Sequence, residues 1–209
     1  MKKKRFNLVA SLVVGSLGFI TSTAHAAETT INDGSSTGDI TINGTLGADN
    51  TAPDAEIPEG SDSWINVTLD TATIFYNTSS STTIESPKYT IKNNSGRPVT
   101  VIPTAITQTN SVDISSIKDL TVNFKRDDSS QDSSAKLVSE GSAAVTQATT
   151  LTLANKAGQL LSTDTAATDT STVTNASATF SYGGSVSSAL TTTINPEFTM
   201  TLTFTPVSW

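Results

Sequence analysis

One stretch limits the fold of this chain more than any other. From Phe198 to Thr205, the apolar residues Phe198, Met200, Leu202 and Phe204 alternate with four threonines. A period of two puts every apolar side chain on one face of an extended strand and every hydroxyl on the other. The same spacing would scatter them around a helix. Pro206 ends the run. The pattern predicts a central strand with these four residues in a core. A lone strand has no core, so the rest of the chain has to supply partners. Threonine and serine dominate the composition, and β-branched threonine favours extended backbone.

Further alternating runs supply them. Tyr89 and Ile91, then Val99 and Val101, flank the turn-forming cluster Asn93 to Gly96, which predicts a hairpin paired with the Phe198 strand. Trp64 to Leu69 reads as a strand with Ile65, Val67 and Leu69 on one face and Trp64 on the other. Ala72 to Tyr76 reads as a second, with Phe75 opposite Ile74 and Tyr76. Leu120 to Phe124, Thr149 to Leu153 and Ala178 to Tyr182 alternate as well, the last stopped by Gly183 and Gly184. Ile114, Ile117 and Leu120 stand three apart, which predicts one or two helical turns, and Lys125 to Lys136 reads as a charged loop. Roughly eight to ten strands between turn signals predict an all-β chain. The expected architecture is an antiparallel β-sandwich of Ig-like or Greek-key type with little helix.

The N-terminus carries a different signal. Lys2, Lys3, Lys4 and Arg5 precede an apolar run from Leu8 to Ile20, and Ala24-His25-Ala26 has the small-x-small pattern of a leader cleavage site. Residues 1–26 are therefore expected to be a secretory signal, too short in its apolar part for a membrane span. Four of the 12 Lys and Arg lie in it, leaving eight against 19 Asp and Glu, a net charge of −11. The only histidine, His25, leaves with it, and the chain has no cysteine. A mature chain without His or Cys lacks the usual general base, thiol nucleophiles, disulfides and His/Cys zinc ligands. Strong negative charge opposes binding to nucleic-acid phosphates. Residues 27–60 read as an acidic N-terminal strand around Ile40 and Ile42 followed by a linker, and residues 61–209 as the sandwich.

Few residues suggest a site. Trp64 and Phe75 are the candidate binding aromatics, with the acidic segment as a second interaction surface. Clustered carboxylates (Asp33, Asp39, Asp49, Asp54, Glu56 and Glu59, or Asp127, Asp128 and Asp132) suit calcium as hard oxygen ligands, though an Asp-x-Asp-x-Asp-Gly spacing is missing. Lys88 or Lys92 with Asn195 and Glu197 has the residue types of an intramolecular Lys–Asn isopeptide bond. Asn43, Asn66, Asn77, Asn93 and Asn175 open Asn-x-Ser/Thr sequons, which a threonine-rich chain contains by composition.

The layout resembles WxL-type cell-wall-binding proteins of Gram-positive bacteria. The shared points are the Lys-rich leader, the acidic segment Gly47 to Gly60, the run Pro87-Lys-Tyr-Thr-Ile-Lys-Asn-Asn-Ser95 and the terminal strand. Phe204 stands where the distal Trp would be expected, and no Trp-x-Leu occurs: Trp64 is followed by Ile65-Asn66. A strand ending in Asn-Asn and the closing Leu202, Phe204 and Trp209 are also similar to fibre proteins of the camelysin and TasA type. These resemblances imply a secreted, non-enzymatic protein on the surface of a Gram-positive bacterium. It would attach non-covalently to a wall polymer or another surface protein, or else serve as a subunit of a pilus or fibre.

Overall fold

The computed structural model describes residues 49–78 and 80–209. The expected leader, the strand expected around Ile40 and Ile42, and the acidic segment before Asp49 lie outside the described residues.

Ten strands follow one another: β1 (Val67–Leu69), β2 (Thr83–Ile84), β3 (Tyr89–Asn93), β4 (Val99–Gln108), β5 (Ile117–Arg126), β6 (Asp132–Ser139), β7 (Ser142–Thr146), β8 (Leu151–Leu153), β9 (Ser177–Val186) and β10 (Phe198–Pro206). The helical content of the described residues is two single 3-10 turns, Asp62–Trp64 and Thr170–Thr172. Every pairing is antiparallel. The larger sheet runs β1-β3-β9-β5-β6-β7, with β2 also on β9, and the smaller runs β10-β4-β8. Residues of both sheets share one core: Ile91, Leu120, Val122, Phe124 and Phe180 from the larger, Val99, Val101, Leu151 and Leu153 from the smaller. The fold is all-β, antiparallel and sandwich-like.

The expected hairpin is not a hairpin. β3 pairs with β1 and β9, whereas β4 pairs with β10 and β8. The connection Asn94 to Pro98 carries the chain from one sheet to the other. Side-chain hydrogen bonds take the place of a ladder. Buried Asn93 donates from Nδ2 to the carbonyls of Arg97 (2.9 Å) and Ala154 (2.8 Å), and its Oδ1 accepts from Ser95 N (3.0 Å). Gly96 N donates to Asn50 O at 2.7 Å, and a Cβ on Gly96 would lie 2.6 Å from Ala52 O. Only glycine lets the acidic segment pass this close. Over its described part that segment is packed on the body and is not a free linker.

Other local expectations change for equally concrete reasons. The spacing of Ile117 and Leu120 comes from a register shift between Ile117 and Asp119, not from a helix. An extra residue in a strand lets two residues three apart share one face. β5 then runs on to Arg126, and the charged stretch becomes a tight turn leading into β6. β9 passes through Gly183 and Gly184 without stopping: Gly184 has φ +149°, and a Cβ there would lie 2.1 Å from Asp119 O. The close approach of β5 requires the glycine. Ala72 to Tyr76 forms no strand beyond a single bridge from Tyr76 to Glu85. Of the expected strand Trp64 to Leu69, Trp64 ends the 3-10 turn and only Val67–Leu69 is strand, the short β1. β10 itself, expected to be central, is an edge strand of the smaller sheet, and Phe198, Met200, Leu202 and Phe204 are half-buried. Its expected partner is present: β10 pairs with β4 along its whole length.

Candidate binding groove

The edge position of β10 opens a groove. Its half-buried apolar side forms one wall. The segment after β1 forms a second, and Tyr182 and Val186 of β9 with the β9–β10 connection close the far side. The cavity measures about 900 Å³, within the range of ligand-sized clefts.

The wall after β1 owes its shape to one side chain. The Tyr89 hydroxyl accepts from Ile74 N (2.7 Å) and donates to Ile74 O (3.0 Å). Both backbone groups of Ile74 are satisfied without a neighbouring strand, which is why Ala72 to Tyr76 needs no ladder. Phe75 then turns inward against Tyr182 (centroids 6.3 Å, edge-to-face) and Phe198 (6.2 Å). Ile74 and Tyr76, which also line the groove, stay 62% and 47% exposed. Tyr182 is anchored by Thr73 Oγ1 at 3.0 Å, and burial pushes its phenol above the ordinary value. Among the lining residues only Asp70 and Glu197 are carboxylates, and the Asp70 carboxylate accepts from Thr90 N (2.7 Å) and Oγ1 (3.1 Å). The groove is lined by apolar side chains together with hydroxyl and amide groups.

Of the two candidate aromatics, Phe75 lines this groove. Trp64 does not: it is 0% exposed and cannot meet a partner from outside. It lies under Arg97. The Arg97 guanidinium sits 4.2 Å from the Trp64 ring centre and 4.5 Å from that of Trp209. Its Nε and Nη2 bond the Glu59 carboxylate, and its Nη1 donates to Pro53 O at 2.6 Å. This bonding holds the Glu59 carboxyl below its usual range. Trp64 Nε1 donates to Pro58 O at 3.2 Å. A lone Arg in a turn reads from sequence as solvated. Its two indole partners are far away along the chain, so no local pattern could reveal the stack. What the sequence does offer is Arg directly before Pro98, which restricts Arg97 to extended backbone.

The remaining candidates are not assembled. Among the described residues no three His, Cys, Asp or Glu side chains converge as a metal site. Glu59 is bound to Arg97, Asp128 to Arg126 (2.9 Å) and Asp49 to Thr51. Asp33 and Asp39 lie outside the described residues. Lys88 and Lys92 are exposed, Lys92 on β3 of the larger sheet, while Asn195 and Glu197 precede β10 of the smaller one. An isopeptide bond needs a buried lysine beside its partner. Of the sequons, Asn93 is fully buried and Asn43 lies outside the described residues. Among the described residues no helix is long and apolar enough to cross a membrane. No protein family, curated protein or solved structure matches this chain, so any function has to be argued from the groove, the edge strand beside it and the sequence.

Proposed function

We propose that this chain is an exported, non-enzymatic surface protein of a Gram-positive bacterium that holds a partner surface protein non-covalently. The single observation supporting this reading is the coincidence of a groove lined largely by apolar side chains with a strand edge that is unpaired among the described residues. An extended partner segment beside β10 would satisfy the backbone groups of that strand that have no partner among the described residues, and lay alternate side chains into the groove, the mode of β-strand addition. The leader supports export. The absence of His and Cys from the mature chain, with few carboxylates lining the groove, supports binding over chemistry. The WxL-type resemblance points to the same surface, with a wall polymer as the competing ligand.

Co-sedimentation of the exported protein with Gram-positive cells tests this. Retention is expected on whole cells, is lost after the cells are shaved with protease, and is reduced at least about tenfold by Phe75→Ser, since a groove anchor carries a disproportionate share of binding energy. Full recovery in the supernatant with both cells and walls sinks the reading, and retention on protein-free walls replaces the partner protein by a polymer. A fibre subunit is the second reading, favoured by the same unpaired edge. Polymer growth with concentration would distinguish it.

A further inference from the structure

The residues of β10 say which partner fits that edge. The run Phe198-Thr-Met-Thr201-Leu-Thr-Phe204 is close to symmetric about Thr201. If two such strands lie antiparallel around a twofold axis at Thr201, Phe198 of one copy faces Phe204 of the other. Met200 then faces Leu202, Thr199 faces Thr203, and Thr201 faces itself. Each apolar residue meets an apolar residue of similar size, and each threonine meets a threonine. A twofold interface needs this self-complementarity, because the same patch has to serve both sides.

Three further observations favour the pairing. The outer edge of β10 has no backbone partner among the described residues. The register irregularity of this pair is absorbed by β4, where Thr201 faces Ala105 and Leu202 faces Pro103, so β10 stays continuous. Natural edges are usually blunted by charge, bulges or proline, and β10 carries only the terminal Pro206. Charge also discriminates. The chain is acidic overall, at −7, so most faces of two copies repel. From Phe198 to Pro206 there is no charged residue, and like-charge repulsion is least there.

The geometry points to a second copy of this chain as the partner, joined β10 to β10 across a twofold axis at Thr201. The two three-stranded sheets become one of six strands. The half-exposed Phe198, Met200, Leu202 and Phe204 of each copy are covered along the junction. This deepens the attachment reading above and rests on it for the use of the edge: the partner surface protein held there is itself a second copy, so copies on the cell and copies in solution compete for the same edge. Such an interface closes on itself, so it yields a dimer and not a fibre.

Light scattering on the exported chain, fractionated at rising concentration, is the test. Twice the single-chain mass is expected. Thr201→Lys, at an exposed position outside the core, places two lysines face to face and is expected to weaken the dimer about fivefold, because like charges directly opposite destabilise strand pairs. Mixing Thr201→Lys with Thr201→Glu is expected to restore it. The chain has no cysteine, so Thr201→Cys is expected to cross-link on oxidation, while Thr203→Cys, facing Thr199, is not. A single-chain mass at every concentration overturns the proposal, as does a dimer indifferent to Thr201→Lys. If the chain stays monomeric while Thr201→Lys still abolishes retention on cells, the second copy is excluded and the attachment reading survives. A dimer in this register with no retention on cells has the opposite meaning.

Discussion

Arg97 shows how much one side chain can hold. It is 8% exposed, lies between two indoles and bonds Glu59 and the Pro53 carbonyl. Three parts of the chain meet on it: the acidic segment, the inter-sheet crossover and the residues after β10. Each cation–π contact is worth roughly 0.5–2 kcal/mol, and the half-exposed Glu59 pair adds less than about 1 kcal/mol. Arg97→Ala is therefore expected to lower stability by about 3 kcal/mol in urea unfolding. Arg97→Lys keeps the charge but not the planar fork, and is expected to recover less than half of the loss. The two tryptophans of the chain are both in this stack, so a red-shifted emission should accompany either change. An Arg97→Ala protein of unchanged stability and emission would show that the stack holds nothing. Sequence reading could place neither indole here: Trp64 reads as a strand-end aromatic, and its complete burial depends on residues brought in from Pro53, Pro58 and Trp209.

At the scale of single elements, the β5–β6 turn is the clearest electrostatic device. Arg126 donates to Asp128 Oδ1 at 2.9 Å and also bonds Ser130, and Ser130 N donates to the same carboxylate at 3.0 Å. These bonds, the Arg126 one foremost, lower the Asp128 carboxyl from 3.8 to about 2. A carboxyl depressed in the folded state stabilises it fully above the unfolded value, and the contribution fades as pH falls towards the folded one. Stability is thus expected to drop between about pH 4 and pH 2, by about 1 kcal/mol after allowance for solvent screening. Asp128→Asn should flatten that part of the profile in denaturation measured across the range. A variant that keeps the acid slope would assign it to other carboxylates. β9 makes the same point sterically. Its alternation was legible up to Tyr182, but the two glycines read as a stop because strand patterns carry no record of how near the neighbouring strand will come. At Gly184 the answer is 2.1 Å from Asp119 O to a hypothetical Cβ.

For the whole molecule, the two sheets share one core, and the crossover at Asn93 to Pro98 ties them at one end. Unfolding is expected to be a single transition. Tryptophan emission, which reports the crossover end, should coincide with the far-ultraviolet signal of the strands in urea. An earlier tryptophan transition would mean that the Arg97 end opens on its own. The groove also belongs to this scale, since its walls come from β10, the Ile74 segment and β9, and no run of residues announces it. Phe75 was legible as an aromatic out of phase with Ile74 and Tyr76; the inward turn that places it in the groove depends on the Tyr89 hydroxyl. What the sequence by itself determined was the period-two alternation, and with it an antiparallel all-β fold and the apolar face of β10, because side-chain direction along a strand is a local property of the backbone. What only the tertiary structure decided was the partner of each strand. Asn93 to Gly96 turns the chain in either case. Whether β3 and β4 pair or part to opposite sheets depends on contacts with Asn50, Ala52 and Ala154 from elsewhere in the chain. Those contacts leave β10 at an edge and the groove open beside it.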